Sequence, residues 1–386
     1  MTSPFLRHSS AQSLRNSKIP FKIFERDHSF TFRAQGYRLR LSAEGLDAIE
    51  SVLDPKTWDI FWNACGKTGG LGFVEFDAVT GEITDSRPIP QGLSSRGNKT
   101  VGIARGDMRK IFARGCEDFI EWGVQVTGYE LSDDGSGVRA VFGDGRKSEW
   151  GSMLIGGEGI YSRVAKQLSK GKLKVFDTGA RGIHGQALSP AFKGLGEGVF
   201  MLRDKSRSDG AVFTITNVRP GDMDDPTVEF GWTLGGQPGV VRAPNDNYTI
   251  VGKPAADIAR ALTKNWHEKF RPLFEQMNEE NAAFWKITCS SPSGIPEWEN
   301  EARVTVIGDA VHSMTPAGGI GANTAVRDSA LLGKLLREAG GFREGLTAEY
   351  EKEMRVYGSE AVKQSYEAAK GSFGVDIDEE TSLTVN

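Results

Sequence analysis

The architecture of this chain follows from residues 304–323, which read Val304-Thr305-Val306-Ile307-Gly308-Asp309-Ala310-Val311-His312-Ser313-Met314-Thr315-Pro316-Ala317-Gly318-Gly319-Ile320-Gly321-Ala322-Asn323. The first residues are β-branched and typical of a buried strand, and an acid, Asp309, follows the strand. A proline and several glycines then open a helix. In open α/β sheets, ligands bind outside the carboxyl ends of the strands, and a glycine-lined helix start presents N–H groups to an anion or an electron-rich ring. Asp309 is therefore placed to meet a ligand.

The segment after this stretch predicts an amphipathic helix. Four residues recur at spacings of four, three and four and so share one narrow face: Ala325, Ser329, Leu332 and Leu336. The pair Gly340-Gly341 is a typical end of a helix.

Strand, acid, glycine turn and helix together resemble the second flavin-binding motif of the FAD-dependent aromatic-ring hydroxylases, the class A flavoprotein monooxygenases of the p-hydroxybenzoate hydroxylase type. In that family the acid holds the ribityl chain, and the amides after the glycines approach the flavin ring. The resemblance therefore assigns four residues to FAD: Asp309, Gly319, Gly321 and Ala322. The alternative is an ordinary strand-to-helix connection whose glycines only permit tight packing.

Composition and charge exclude several classes of protein. The 386 residues carry 47 Lys and Arg against 51 Asp and Glu, a net charge of −4, so the sequence predicts no nucleic-acid partner. Three widely spaced cysteines without a Cys-x-x-Cys pair predict neither a disulfide framework nor a metal site. No apolar run approaches the roughly 18 residues of a membrane span, and the start lacks a signal-peptide core. We therefore expect a cytoplasmic protein without a transmembrane segment, which leaves weak peripheral membrane contact open.

The N-terminal part of the chain contains a second feature of a nucleotide-binding unit. A short apolar strand over residues 21–24 ends in Glu25, where such a unit places an acid for the ribose hydroxyls of adenosine. A solvated acid beside Arg26 is the alternative. A strand and a Gly-x-Gly-x-x-Gly loop normally precede that acid by about 20 residues, but residues 1–10 contain no glycine. The resemblance resumes near Ala11, which predicts an FAD-binding domain that is truncated at its N-terminus and has weakened FAD affinity.

Two arginines are candidates for the phosphate side of FAD. Arg38 lies in a segment that approaches the flavin and the phosphates in the resembled family, whereas Arg40 alternates with it and should face elsewhere. A surface salt bridge is the alternative for both. The run from Arg105 to Arg109 resembles the family's Arg-x-x-Leu-Arg, whose leading arginine reaches the phosphates, and a guanidinium suits a phosphate. This assigns Arg105 to FAD and leaves Arg109 as a surface residue of the same helix.

The middle of the chain is rich in candidate strands, at residues 199–202, 211–218 and 228–234. We therefore predict an α/β fold with a Rossmann-like FAD-binding domain of the p-hydroxybenzoate hydroxylase type and an inserted, mostly antiparallel β domain that roofs the substrate. The predicted divisions are an FAD-binding domain (residues 11–174 and 286–370), a substrate-binding β-sheet domain (residues 175–285) and a mobile tail (residues 371–386).

Several residues of the middle segment are candidates for the substrate pocket. Phe213, Phe230 and Trp232 would line it where they point inward, although half of the side chains of a strand point outward. His184 is either a polar pocket residue or a structural histidine. The loop that begins at Gly157 resembles one that serves FAD and the nicotinamide in the family, but Glu158 stands where the family has Asp.

The resemblance also implies a function. In the family NADPH or NADH reduces FAD, O₂ adds to the flavin as a C4a-hydroperoxide, and one oxygen atom passes to an electron-rich carbon or alkene. We therefore predict an FAD-dependent monooxygenase of secondary metabolism that hydroxylates or epoxidises an organic small molecule, with NADPH or NADH as transient reductant. Because the cofactor carries the chemistry, no catalytic side chain is assigned. The alternative is a flavin-fold protein without redox activity: an inactive fragment, a mis-predicted gene product, or a non-redox enzyme or binding scaffold.

Overall fold

A computed structural model describes residues 4–30, 38–68, 72–88, 95–242 and 250–385. Within these ranges the helices are α1 (Pro4–Asn16), α2 (Ala43–Val52), α3 (Pro55–Ala64), α4 (Arg105–Ala113), α5 (Arg163–Leu168), α6 (Lys253–Thr263), α7 (Pro272–Glu275), α8 (Asp309–His312), α9 (Gly321–Ala339) and α10 (Leu346–Phe373). The strands are β1 (Ile23–Glu25), β2 (Arg38–Leu41), β3 (Gly66–Thr68), β4 (Phe73–Asp77), β5 (Ile83–Arg87), β6 (Thr100–Ala104), β7 (Ile120–Trp122), β8 (Val126–Leu131), β9 (Val138–Phe142), β10 (Leu154–Gly156), β11 (Val175–Leu188), β12 (Gly198–Asp204), β13 (Val212–Val218), β14 (Glu229–Gly236), β15 (Ala283–Ser290) and β16 (Val304–Val306).

Short polar residues set the ends of several helices. The Ser42 hydroxyl accepts a hydrogen bond from Gly45 N at 3.0 Å and so caps α2. Asp54 caps α3 in the same way, and Pro55 occupies the first helical position, where its missing N–H costs nothing. The long α9 ends at Gly340, which is left-handed with φ 70°. The predicted helix and its predicted end are confirmed.

The first lobe is a mixed α/β structure around one large core. Its parallel strands form two pairs, β1 with β7 and β10 with β16, and β2, β6 and β3 form an antiparallel sheet beside them. Helices α2, α3, α4, α9 and α10 pack apolar side chains against β2, β6 and β16. Every residue of β16 is buried, as the β-branched run predicts, so the carboxyl end of this strand is held rigidly.

The second lobe is a sheet of seven strands in the order β15-β11-β14-β13-β12-β4-β5. Strands β12, β13 and β14 correspond to the three strands predicted from sequence. One face of the sheet is covered by α6 and α7. Strands β4 and β5 also belong to this sheet, because β4 pairs in parallel with β12, whereas the sequence assigned these residues to the FAD-binding domain. The pairing partner lies more than a hundred residues away and has no local signal.

The C-terminal residues contradict the expectation of a mobile tail. Helix α10 continues to Phe373, and Val375 behind it is buried. The following chain returns to β11, where Asp177 N donates to Leu383 O and Val385 N donates to Val175 O, both at 2.9 Å. Buried apolar side chains and main-chain hydrogen bonds therefore fix the C-terminal segment, which its acidic composition predicted to be mobile. Among the described helices, none combines the length and apolar character needed to cross a membrane.

Candidate active site

Asp309 lies at the corner between β16 and α8. Gly308, just before it, has φ 62° and ψ −140°, a conformation that side chains rarely adopt. The peptide therefore turns sharply and leaves the Asp309 carboxylate half-buried at the end of the strand. Burial raises the pKa of Asp309, and the charges of His312 and Arg105 oppose that rise. A carboxylate held in this way is a strong acceptor for ligand hydroxyls.

The glycine turn beside Asp309 is built for close approach of its backbone. Gly318 and Gly319 have φ of 77° and 61°, and α9 begins at Gly321. A Cβ added to Gly319 would lie 3.2 Å from Arg40 Nε, and one added to Gly321 would lie 3.2 Å from Met314 Cγ. Ala322 follows in the first turn of α9 and is partly buried against the core. Side chains at Gly319 and Gly321 would therefore press against Arg40 and Met314, so glycine allows this turn to pack closely.

Two side chains fasten this turn to the end of β2. Arg40 Nη2 donates to Gly318 O at 2.6 Å. The Asn323 amide donates to Arg40 O and Gly319 O, both at 3.0 Å, and its oxygen accepts from Ser42 N at 2.9 Å. Arg40, which strand alternation was expected to direct elsewhere, therefore reaches the glycine turn. The side chain of Arg38 lies outside the described part of the chain, although its backbone pairs with Ala104.

Glu25 lies at the end of β1, as predicted, but it is fully buried rather than solvated. It accepts a hydrogen bond from Asp27 N at 3.0 Å. Arg109 Nη2 stands 3.7 Å from Glu25 Oε2, and Arg109 Nη1 stands 3.2 Å from Asp27 Oδ2. The predicted surface position of Arg109 is wrong: only 1% of the residue is exposed, because two carboxylates and the rings of Phe30 and Trp122 surround it. Burial lowers the pKa of Arg109, and the two carboxylates oppose the change.

Arg105 opens α4 and is buried, one helical turn before Arg109 on the same face. Its charge opposes the rise in the pKa of Asp309 and adds to the fall in the pKa of His184. Arg105 therefore acts electrostatically on the glycine corner and on the second lobe alike. The spacing of four between the two arginines is the signal that could have predicted a buried Arg109.

A cavity of about 160 Å³ lies between the two lobes. One wall consists of five residues of β2 and β6: Leu39, Arg40, Thr100, Val101 and Gly102. The other wall comes from β4, β12, β13 and β14: Phe73, Val199, Ile215, Thr216, Asn217, Gly231, Trp232 and Thr233. The pocket therefore begins beside the arginine that holds the glycine turn.

The pleat of the sheet decides which predicted aromatic residues reach this cavity. Phe230 packs into the core behind the sheet. Trp232 borders the cavity, but its indole N–H donates to Leu273 O at 2.9 Å on the far side. Phe213 packs edge-on against Phe373 with centroids 4.8 Å apart. Gly231 and Thr233, on either side of Trp232, also line the cavity. Of the three predicted aromatic residues, Trp232 is therefore the one among the lining residues.

His184 supports the polar edge of the cavity. Its Nδ1 lies 2.9 Å from the hydroxyl of Thr233, and its ring stacks on Trp285 with an interplanar angle of 3°. Burial lowers the pKa of His184 to about 3, and the charge of Arg105 adds to this effect. The imidazole is therefore neutral near pH 7, and it orients a hydroxyl that lines the pocket.

In the loop after β10, Glu158 forms hydrogen bonds within the loop and to the start of α5. Glu158 accepts hydrogen bonds from the Ser162 hydroxyl at 2.7 Å and from Val164 N at 3.1 Å, so its carboxylate closes the loop onto α5. Arg163 begins that helix and is exposed. Within the described residues, no three His, Cys, Asp or Glu side chains converge on a point that could hold a metal ion.

These positions fit the ring and ribityl half of FAD. The structure places Asp309, Gly319 and Gly321 around one corner, with the charge of Arg105 acting on it. Gly318 and Gly319 have left-handed backbone, and added Cβ atoms at Gly319 and Gly321 would crowd the turn. Sequence reasoning missed Arg40 and Asn323, whose roles depend on contacts between distant segments.

Comparison with known proteins agrees with this geometry. A family model for the FAD binding domain matches residues 113–365. The chain is 30% identical over 361 residues to the dual O-methyltransferase/FAD-dependent monooxygenase elcB of Phaeosphaeria nodorum, covering 84% of this chain and 38% of elcB. It is 30% identical over 394 residues to the dual enzyme CTB3 of Cercospora beticola, covering 94% of this chain and 45% of CTB3. The chain thus spans less than half the length of these two relatives.

Solved structures show the same fold. HpxO of Klebsiella pneumoniae, complexed with FAD and uric acid, has a TM-score of 0.73 and 18% identity, covering 96% of this chain and 86% of HpxO. The 2,6-dihydroxypyridine-3-hydroxylase of Arthrobacter nicotinovorans has a TM-score of 0.73 and 14% identity, covering 100% and 96%. The chain therefore has the α/β fold of these FAD-binding proteins. The chain belongs to the FAD binding domain family, and two of its relatives are named dual O-methyltransferase/FAD-dependent monooxygenases.

Proposed function

We propose that this chain is an FAD-dependent monooxygenase that hydroxylates or epoxidises a small organic molecule with O₂ and NADPH or NADH. The observation that supports this most strongly is the continuity between the Asp309 corner and the cavity. Arg40 donates to Gly318 O in that corner and also borders the cavity. A ring held at the corner would therefore face a substrate in the cavity.

Each end of the cofactor has candidate residues in this proposal. Asp309 would accept the ribityl hydroxyls, and the backbone of Gly319, Gly321 and Ala322 would approach the ring. Arg105, and Arg38 on the neighbouring strand, would neutralise phosphate charge. Glu25 would serve the adenosine ribose. When bound, FAD supplies the electron transfer from the nicotinamide and the activation of O₂.

The cavity indicates the class of substrate. An apolar cavity of about 150 Å³ is large enough for a benzene-sized ring, and the present one has a volume of about 160 Å³. Leu39, Phe73 and Ile215 supply apolar walls, which exclude water from the reacting atoms. Thr233, oriented by His184, and Asn217, which accepts from the Thr68 hydroxyl at 2.7 Å, would bind a polar substituent. We therefore propose a compact unsaturated substrate that carries a hydroxyl or carbonyl group.

The relatives also suggest the metabolic role of this chain. Two of them are named as dual O-methyltransferase/FAD-dependent monooxygenases, and we propose that this chain corresponds to their monooxygenase part and acts in secondary metabolism. The three cysteines are buried free thiols, which supports a reducing compartment such as the cytoplasm. We further propose that residues 11–174 and 286–370 form the cofactor-binding part, except for the strands that join the large sheet.

The test uses the purified chain with added FAD. A bound flavin spectrum, followed by flavin reduction by NADPH or NADH under anaerobic conditions and O₂ uptake on aeration, would support the proposal. A folded chain that binds no FAD at saturating cofactor would overturn it.

A second candidate is a flavin-fold protein without redox activity. It is favoured by the absence of glycine from residues 1–35, since backbone donors of a glycine loop normally bind the pyrophosphate. The two candidates differ in one measurement: a protein of the second kind would show no nicotinamide-dependent O₂ uptake even where FAD binds.

A further inference from the structure

A buried carboxylate on α9 ties together the elements that surround the Asp309 corner. Asp328 has 0% exposure. Its Oδ2 accepts from Gly308 N at 2.6 Å and lies 2.7 Å from His312 Nε2, and its Oδ1 accepts from the Tyr357 hydroxyl at 2.7 Å. One side chain of α9 therefore contacts the residue before α8, the last residue of α8, and α10.

These contacts fix the backbone on both sides of Asp309. Gly308 O accepts hydrogen bonds from Val311 N and His312 N, both at 2.9 Å, so α8 closes on the same residue whose N–H Asp328 holds. Gly308 can adopt other conformations because it has no side chain. The Asp328 bond to Gly308 N therefore adds to these bonds in fixing the direction in which Asp309 leaves the turn.

The surroundings of His312 keep this arrangement rigid. A Cβ added to Gly358 of α10 would lie 3.3 Å from His312 Cδ2 and 2.7 Å from Ile295 Cδ1, so α10 packs directly against the imidazole. The histidine is 1% exposed. A buried ring in such close contact has few alternative positions.

We propose that Asp328 is a positioning residue for the cofactor: it holds the Gly308–His312 turn so that Asp309 meets the ribityl chain, without touching FAD itself. The inference rests on the proposed FAD site. It assigns a role in binding to a residue that would otherwise count only as part of the core.

A matched pair of variants separates positioning from general stability. Glu351 is also a buried carboxylate that contacts β16, through the Thr305 hydroxyl at 3.1 Å, and it further pairs with Arg355 at 3.1 Å. Asp328→Asn and Glu351→Gln both remove a buried charge beside the same strand, but only the first lies at the corner. FAD titration by flavin fluorescence should show about a tenfold weaker affinity for Asp328→Asn and an unchanged affinity for Glu351→Gln.

Combination with Asp309→Ala tests whether Asp328 acts through Asp309. The double variant should bind FAD no more weakly than Asp309→Ala alone, because residues that act as a unit are not additive. Additive losses would overturn the proposal, and so would an unchanged affinity in a folded Asp328→Asn protein.

A milder variant covers the case in which Asp328→Asn fails to fold. Tyr357→Phe removes one hydrogen bond to Asp328 without leaving a buried charge unpaired, and it should weaken FAD by about threefold. Unchanged affinity in this variant would contradict the role of Asp328. Wild-type protein that binds no FAD would instead refute the proposed function, so the two failures are distinguishable.

Discussion

The two ends of the proposed cofactor site hold their acids in different ways. At the ring end, Asp309 is half-buried, and its neighbours bind the backbone around it, through Asp328, Asn323 and Arg40. At the nucleotide end, Glu25 is fully buried, and its own carboxylate stands beside Arg109. The first arrangement leaves the carboxylate of Asp309 to a ligand, whereas the second divides the carboxylate of Glu25 between the fold and the ribose that we propose for it. The ring end should therefore dominate FAD affinity, and the nucleotide end should dominate stability.

The largest effect should come from Arg109→Met. The change removes the buried guanidinium that stands 3.7 Å from Glu25 and 3.2 Å from Asp27. Loss of one partner of a buried ion pair typically costs about 3–5 kcal/mol, and the free energy of unfolding from urea titration measures it. The control is Arg139→Met, which removes a surface pair with Glu130 at 2.9 Å and should cost less than about 1 kcal/mol. Equal losses in the two variants would show that the nucleotide end has no special role in stability.

Asp309→Ala should come next. Removing charge-assisted hydrogen bonds of about 1.5–3 kcal/mol weakens FAD by roughly 10–150-fold, measured by fluorescence titration. Asp134→Ala, in the exposed turn between β8 and β9, is the matched control and should leave the affinity unchanged. Wild-type affinity in Asp309→Ala would remove that residue from the site.

Glu25→Gln sharpens the comparison at the other end. A ribose contact to a neutral acceptor loses about 0.5–1.5 kcal/mol, so FAD affinity should fall by roughly 2–10-fold, less than for Asp309→Ala. Fluorescence titration with FAD shows which of the two variants loses more affinity. A larger loss at Glu25 than at Asp309 would reverse the account of the two ends.

The smallest effect concerns the pH dependence of stability. The pKa of Asp309 is raised in the folded protein, so the folded state binds the proton more tightly than the unfolded chain, whose Asp has a pKa of about 3.9. The stability from this proton is fully present below that value and is lost as pH rises through the folded pKa. Asp309→Asn should therefore raise the midpoint of thermal unfolding relative to wild type at pH 7, with a difference that shrinks as pH falls toward 4. A variant that is less stable than wild type at pH 7 would contradict this.

Local patterns in the sequence predict much of this molecule, and long-range contacts explain what they miss. The buried strand, the acid, the glycine turn and α9 follow from composition and spacing within residues 304–341, and they are found as predicted. The carboxylates beside Arg109 lie more than eighty residues earlier in the chain, so no local pattern predicts its burial. The alternation of side chains along a strand predicts that Arg40 faces away from the cofactor, but its long side chain reaches Gly318.

A predicted helix boundary differs from the observed one where tertiary packing interrupts a helical pattern. The apolar spacing from Pro254 to Met277 predicts one helix, but α6 ends at Thr263 and a separate turn of helix starts at Pro272. His267 N donates to Ala78 O at 2.8 Å between them, so a contact with the end of β4 interrupts the helix. The C-terminal residues pair with β11, which is distant in sequence, so their acidic composition alone does not predict this contact.

The most direct test of the central claim is a crystal structure of this chain grown with FAD. The account predicts electron density for the flavin ring against the Gly318–Gly319 turn, with a ribityl hydroxyl within hydrogen-bonding distance of the Asp309 carboxylate and the ring edge facing the cavity beside Arg40. Flavin density elsewhere, with Asp309 making no contact to it, would contradict the account.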